Sequence, residues 1–307
     1  MKNIPTSDEI NSLFANSDPG TVWDKAASIL VRINPGYDTS LIKTVFDDVM
    51  SLFRGDYPGY SSIKTLYHDK RHTLDVFLCA VRLMHGVQLS GKRLSDDEMT
   101  LIMIAALMHD IGYSQMDGEE GGTGAQYTLT HVKRGIAFMK KYIAEKHLPS
   151  GYPNALEPMI SGTNPALKFP MIEFPDERTR LLGQVVASAD LTGQMADRTY
   201  LEKLLFLYLE FREANFGNYQ NMFGLLRQTN TFYGVTREKL DGPLGGMYRM
   251  LRFHFNAVMG VENNYYLESI EKNLAYLSKV IEHNEKYLSM LKRGGIAEKS
   301  QALDARN

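Results

Sequence analysis

Two histidines four residues apart are the first side chains in this sequence suited to metal chemistry. His68 and His72 lie in YHDKRHTLDV, and a helix through them would place both on one face, continued by Val76, Cys79 and Leu83. This face is mostly apolar, so both imidazoles would be buried. A buried polar group without a partner costs about 1–3 kcal/mol. We therefore expect a metal ion and a substrate to satisfy the two rings.

Carboxylates occur on two further apolar segments. His109 and Asp110 end the run LIMIAALM, and adjacent helical residues point about 100° apart, so both reach one ion only near the helix end. Asp190 lies on an apolar stripe of LLGQVVASAD, where a carboxylate is normally paired or bound to metal. One shared cation explains all three segments, and the sequence predicts an ion held by His72, His109, Asp110 and Asp190. Two imidazoles and two carboxylates suit Mn, Fe, Zn or Ni, and Mg less well.

Helices must position these groups, because strand-like alternation is scarce in the chain. Residues 21–33, 39–54 and 66–85 carry apolar residues at three- and four-residue intervals. Ser95 and Glu98 have the spacing of a capping box, and the apolar run that follows predicts a buried central helix. The sequence therefore predicts an all-α fold.

The second half of the chain alternates loops with further helical patterns. Residues 117–124, DGEEGGTG, resemble a flexible lid, and no Walker sequence follows them to bind nucleotide phosphates. Residues 149–175 hold six of the eleven prolines and predict a loop with at most one short helix. Helical patterns return over 177–190, 200–214 and 246–259.

The last predicted helix is the longest. Its apolar positions run from Leu267 to Leu291 at three- and four-residue spacing, interrupted only by Asn284. Two interpretations stay open, namely packing against its own domain or a homodimer through this C-terminal helix.

Composition is that of an ordinary globular protein. The chain is 44% hydrophobic and 23% charged, and it has no long apolar span, so no membrane association is expected. A formal net charge of -2 argues against general nucleic-acid affinity. Cys79 is the only cysteine and the N-terminus lacks a secretory signal, so we expect a cytoplasmic protein. Four further histidines are expected to be exposed, without functional roles: His85, His147, His254 and His283.

The order of the predicted ligands resembles a known family. His72, then His109 with Asp110, then Asp190 are similar to the H, HD and D elements of the HD superfamily of metal-dependent phosphohydrolases. The resemblance covers roughly residues 60–195. It implies a divalent metal ion (Mn, Fe, Zn, Ni or Mg), one firmly bound, with a second as a further candidate.

The same resemblance divides the chain into three segments. It implies an HD-domain helical bundle, the metal-binding core, in residues 59–198. N-terminal helices then occupy residues 1–58, and a C-terminal helical extension packed on the core occupies residues 199–307.

The YHDKRH element is also similar to the YHNxxH signature of cyclic-nucleotide phosphodiesterases. This similarity implies that His68 donates a proton and that His72 binds metal, with Asp69 standing where the signature has Asn. His131 occupies the place of an additional histidine in two-metal members, so it is a candidate second-metal ligand. Thr163 lies where many such members have yet another histidine.

The family resemblance implies hydrolysis of a phosphate ester, and it implies a small phosphorylated substrate, a nucleotide. A bound ion would lower the pKa of water to produce hydroxide that attacks phosphorus, while His68 protonates the departing oxygen. Asp110 would take part by bridging to a second ion. Lys70 and Arg71 flank the histidines and are weaker candidates for binding the substrate phosphate.

Two other functions stay open at this level. A sensory HD domain that binds a nucleotide and signals through its C-terminal helix would carry the same motif. A di-iron HD oxygenase is the third alternative, and the absence of a histidine near Thr163 counts against it.

Overall fold

A computed structural model describes residues 6–14, 16–119 and 121–305. Within these ranges the chain is all-α, as predicted, and it has no β-strand beyond one antiparallel bridge between Tyr60 and Met116. The α-helices of the described ranges are α1 (Ser7–Ser12), α2 (Pro19–Ile33), α3 (Ser40–Arg54), α4 (Lys70–Leu89), α5 (Asp96–Met108), α6 (His131–Glu145), α7 (Tyr152–Ser161), α8 (Glu177–Ala196), α9 (Tyr200–Glu213), α10 (Met222–Asp241), α11 (Leu251–Met259), α12 (Tyr265–Ile281), α13 (Tyr287–Met290) and α14 (Ile296–Asp304).

Most of the predicted helices are confirmed. Helices α2, α3, α8 and α9 match the periodic stretches, and α7 is the one short α-helix within residues 149–175. The capping box at the start of α5 is also present. The hydroxyl of Ser95 accepts from the backbone N–H of Glu98 at 3.3 Å, and the Glu98 carboxylate accepts from the backbone N–H of Ser95 at 2.7 Å.

Three packed helices form the centre of the fold. Helix α4 packs against α2, α5, α8 and α11, and α5 packs against α7 and α8. Helix α5 is buried from Met99 to Met108, as expected of a helix that is apolar all round. His72 lies in the first turn of α4, His109 caps the end of α5, and Asp190 lies within α8. The packing of these helices is therefore what positions the predicted ligands.

The predicted start of α4 is wrong by one turn. The pattern predicted a helix over 66–85, but α4 begins at Lys70 because Asp69 is its N-cap, accepting from the backbone N–H of His72 at 2.9 Å. His68 thus precedes the helix and does not share a face of α4 with His72. It reaches the site from the preceding loop.

The predicted final helix ends early. Helix α12 has 17 residues and ends at Ile281, because the polar stretch 282–286 offers nothing apolar to bury. It is shorter than α4, α8 and α10, each of 20 residues. Its buried side chains pack against α8 and α10 of the same chain, which favours the intramolecular interpretation.

Two further elements differ from the sequence patterns. The stretch predicted over 246–259 begins as a 3-10 turn, Met247–Met250, before α11. Helix α10 was not predicted, because its two glycines, three threonines and valine weaken helical propensity.

The glycine-rich loop at 117–124 is tied to the helices on both sides. Arg134 donates to Glu119 at 2.7 Å, and the backbone N–H of Thr123 donates to Glu213 at 2.7 Å. These bonds hold the ends of the loop against α6 and α9.

The core is continuous along the described chain. One hydrophobic cluster contains residues from all three predicted segments, from Phe14 to Ala297. The division at 58 and 198 stays a prediction. Among the described helices, none combines the length and apolar character needed to cross a bilayer.

Candidate metal centre

Four buried side chains bring their donor atoms together, and we call them the donor cluster. The Nε2 atoms of His72 and His109 lie 3.1 Å apart, and Oδ2 of Asp110 lies 3.1 Å from each of them. Oδ1 of Asp190 lies 3.5 Å from Nε2 of His72 and 3.7 Å from Nε2 of His109. None of these side chains is more than 9% exposed.

The donor cluster has the dimensions of a metal site. Ligand atoms about 2.1 Å from one ion lie about 3.0 Å apart at right angles and about 3.4 Å apart at tetrahedral angles. Oδ2 of Asp110 is buried and makes no hydrogen bond within the described part of the chain. A divalent ion would satisfy this oxygen. The buried group of His72, His109 and Asp110 therefore fits a metal ion.

Backbone carbonyls set the tautomers of two histidines. Nδ1–H of His109 donates to the carbonyl oxygen of Ala106 at 2.9 Å, and Nδ1–H of His131 donates to that of Thr128 at 2.7 Å. A carbonyl oxygen can only accept, so each neutral ring carries its proton on Nδ1 and its lone pair on Nε2. Nδ1–H to carbonyl bonds of this kind are typical of metal-binding histidines.

Asp190 is held by a chain of hydrogen bonds. Nε2 of Gln194, one turn further along α8, donates to Oδ1 of Asp190 at 3.0 Å. Oε1 of Gln194 in turn accepts from the hydroxyl of Tyr67 at 2.7 Å. These bonds fix the orientation of the carboxylate toward the donor cluster.

His131 lies beside the donor cluster because the backbone there is tightly packed. Its Nε2 is 3.4 Å from Oδ1 of Asp110, the oxygen that does not face His72 and His109. A Cβ at Gly112 would lie 1.8 Å from the carbonyl oxygen of His131, so only glycine permits this approach. The imidazole also stacks on Tyr113, with ring centroids 4.4 Å apart.

His68 is paired with a buried glutamate from a distant part of the chain. Its Nδ1 lies 2.6 Å from Oε2 of Glu210, whose side chain is 2% exposed. Oε1 of Glu210 accepts from the backbone N–H of Tyr67 at 2.6 Å. The imidazole of His68 also stacks on the ring of Tyr113, with ring centroids 4.7 Å apart. Nε2 of His68 makes no hydrogen bond within the described chain.

The charges at the site favour a cation among the carboxylates. Burial alone would lower the pKa of His109, but Asp110 and Asp190 outweigh it and raise the pKa to about 9. Burial would raise the pKa of Asp110, yet His109 and His68 hold it well below its usual range. Burial also opposes protonation of His68, and the negative charge of Glu210 outweighs this and raises its pKa.

A cavity of about 190 Å³ opens beside the donor cluster. It is lined by His72, Asp110 and Asp190 of the cluster and by His68 and Tyr113. A bound molecule would therefore contact both the donor cluster and the paired histidine.

Lys70 and Arg71 are not brought to the lining of this cavity. Arg71 instead donates to Oδ1 of Asp197 at 2.5 Å. Asp69, which stands in the place of the signature's Asn, is the N-cap of α4. Its Oδ1 lies 3.3 Å from Nζ of Lys203. Binding of a substrate phosphate by Lys70 or Arg71 stays a prediction.

Sequence reasoning missed three residues of the site. Gln194 had a signal, because it lies one turn from Asp190 on the same helix face. Tyr113 follows His109 and Asp110 closely but carries no pattern of its own. Glu210 had none, since 142 residues separate it from His68.

The prediction that the remaining histidines are exposed is wrong for two of them. His85 and His254 are 4% and 3% exposed, and their Nδ1 atoms lie 2.9 Å apart. Burial, together with the charges of Arg82 and His85, lowers the pKa of His254 to about 2. The pair lies between α4 and α11, and the Nδ1 atoms of the two rings hydrogen-bond to each other.

Comparison with protein families finds a match over part of the chain. The model of a family described as Npun_R2479-like matches residues 114–237. A search of curated proteins finds no match. The matched stretch carries His131, Asp190 and Glu210, while His72 and His109 lie outside it. The chain is therefore similar to that family over less than half of its length.

Proposed function

We propose that this chain is a metal-dependent phosphohydrolase of the HD type. The observation that carries the proposal is the convergence of four buried donor atoms beside a cavity. Three of the donor side chains, His72, Asp110 and Asp190, line this cavity together with His68, which is paired with Glu210. The four donor atoms suit a divalent ion, and the pair of His68 and Glu210 suits a proton donor. Hydrolysis of a phosphate ester with a poor leaving group makes use of both.

The ligand set is His72, His109, Asp110 and Asp190. A divalent ion held there would lower the pKa of water and offset the negative charge of a phosphoryl group. Oδ1 of Asp110 and Nε2 of His131 lie on the side away from the histidine pair, where they would contribute to holding a second ion. Two imidazole nitrogens and two carboxylate oxygens suit Mn, Fe, Zn or Ni.

His68 would act as the general acid. Glu210 favours the protonated imidazole, and Nε2 is the ring nitrogen left free to donate. The stacking of His68 on Tyr113 holds the plane of the ring. The proton would pass from Nε2 to the oxygen of the leaving group as its bond to phosphorus breaks, and Glu210 would keep its charge throughout.

The test is phosphate release combined with a metal titration. Wild-type protein freed of metal should hydrolyse p-nitrophenyl phosphate or bis(p-nitrophenyl) phosphate only after Mn²⁺ is restored. The Asp110→Asn variant should lose this activity, and His85→Gln, a buried histidine remote from the donor cluster, should keep it. Full activity in Asp110→Asn, or no activity with any divalent metal, would contradict the proposal.

A further inference from the structure

The cavity beside the donor cluster is lined by many apolar side chains as well as by proposed metal ligands. Its lining includes six aliphatic and aromatic side chains from α8, α9, α10 and the loops: Leu129, Leu191, Leu207, Phe211, Phe216 and Phe232. Apart from the histidines and the two aspartates, the polar side chains that line the cavity are neutral: Tyr67, Tyr113, Thr128, Thr163, Asn164 and Gln194. A substituent seated among the six apolar side chains would therefore contact mainly hydrocarbon.

No lysine or arginine contributes to the lining of this cavity in the described part of the chain. Lys239 of α10 interacts with the charge of Asp190 but does not reach the lining. One phosphate would bind the ion directly, whereas further phosphates would lie against a lining that offers no lysine or arginine to balance their charge.

The apolar wall continues to the protein surface. Phe232 and Leu129 line the cavity and are 53% and 65% exposed, respectively. Exposed apolar side chains that adjoin a cavity are a feature of ligand-binding grooves. Apolar side chains therefore line the cavity as far as the protein surface.

We infer that the substrate is an ester of a single phosphate whose other substituent is apolar, an alkyl or aryl group seated among Phe211, Phe216 and Phe232. The inference rests on the proposed function for the position of the phosphate. The contact between the apolar substituent and the phenylalanines does not depend on turnover. Nucleoside polyphosphates are excluded by this account, and a polar nucleoside should bind less well than an alkyl chain of similar size.

The experiment is a binding series with alkylphosphonates, which keep the charged head and cannot be hydrolysed at an ester bond. Kd for methyl-, butyl- and hexylphosphonate would be measured by calorimetry, in Mn²⁺ and again in EDTA. We expect Kd to tighten by about fourfold for each methylene buried until the cavity is filled. The change per methylene should be similar with and without Mn²⁺, because the metal contacts only the head group.

A matched pair of variants tests the location. Phe232→Asp should weaken binding of hexylphosphonate at least tenfold and leave methylphosphonate nearly unchanged. Val235→Asp makes the same change at a residue of α10 that is 58% exposed and does not line the cavity, so it should bind like wild type. Circular dichroism of both variants checks that α10 is retained.

The outcomes separate the inference from the proposed function. A Kd that does not change with chain length, or tighter binding of adenosine diphosphate than of hexylphosphonate, overturns the inference even if phosphate esters are hydrolysed. Chain-length dependence that is lost in Phe232→Asp supports it even if no ester is turned over. Equal losses in Phe232→Asp and Val235→Asp would place the alkyl chain elsewhere and overturn it.

Discussion

Glu210→Gln should remove the general acid without removing the metal site. The carboxylate lies 2.6 Å from Nδ1 of His68, and both side chains are largely buried. A glutamine can still accept from the backbone N–H of Tyr67, so the loop before α4 should keep its position. Its amide would instead donate to Nδ1, which leaves His68 as a neutral ring.

The expected magnitude follows from comparing two energies. Two unit charges 2.6 Å apart attract by about 6 kcal/mol at an effective dielectric constant of about 20, an upper limit that burial reduces. General acid catalysis is worth about 100- to 10,000-fold, or about 3–5 kcal/mol. The upper limit on the ion-pair energy is as large as the contribution of the general acid, so we expect Glu210→Gln to lose as much rate as His68→Gln. The double variant should lose little more.

The assay compares leaving groups across a range of pH. The loss should be large for an alkyl phosphate and small for p-nitrophenyl phosphate, whose leaving group departs without a proton. Because Glu210 raises the pKa of His68, the acid stays protonated to higher pH in the wild type. The alkaline fall of kcat/KM should therefore occur at lower pH in Glu210→Gln.

Glu202→Gln is the matched control, since Glu202 is a buried glutamate on the same helix and should leave the leaving-group dependence unchanged. Additive losses in Glu210→Gln and His68→Gln, or equal losses for good and poor leaving groups, would refute the pairing argument. Loss of bound metal in Glu210→Gln would show that the glutamate acts on the donor cluster.

Three further changes test the surroundings of the site. Gln194→Leu should weaken Mn²⁺ binding about 10- to 100-fold by calorimetry, because Asp190 loses its orienting bond, and unchanged affinity would contradict this. His254 has a pKa of about 2 when folded and should take up a proton on unfolding below about pH 6.5, so wild-type stability falls as pH falls. In denaturant unfolding, the free energy of unfolding of His254→Gln should fall by about 1.4 kcal/mol less per pH unit than that of wild type between about pH 6 and 4. Parallel curves of unfolding free energy against pH for the two proteins would refute this. Gly112→Ala should cost about 1–3 kcal/mol of unfolding free energy by forcing His131 away, and wild-type stability would contradict that close approach.

The sequence predicted the helices best where apolar side chains recur along one face. Helices α2, α3 and α9 follow their periodicity closely, because burial of one face determines both pattern and structure. The donor cluster was also accessible from sequence, since polar groups on buried faces need partners wherever the helices pack.

Two helix ends were predicted wrongly from apolar periodicity, because other local features of the sequence determine them. Periodicity extended α4 back through His68, but the N-cap at Asp69 ends the helix there and leaves His68 in a loop. Periodicity likewise extended α12 past Ile281, although five polar residues follow it. In both cases the apolar spacing continued by chance beyond the physical end of the helix.

Long-range pairs could not be found in one sequence. Glu210 meets His68, and His254 meets His85, only because α9 and α11 fold back on the start and the end of α4. No spacing rule relates residues that are 142 or 169 positions apart. The apolar wall of the cavity depends in the same way on α10, which carries little helical signal.

The most direct test of the account is the metal content of two histidine variants. His109→Gln and His254→Gln each replace a buried histidine, 1% and 3% exposed, of which only His109 belongs to the donor cluster. After dialysis against Mn²⁺ and removal of free ion, inductively coupled plasma mass spectrometry should find about one ion per chain in wild type and His254→Gln. It should find almost none in His109→Gln. Stoichiometric metal in folded His109→Gln, or no metal in the wild type with any divalent ion, would contradict the claim that these side chains form a metal centre.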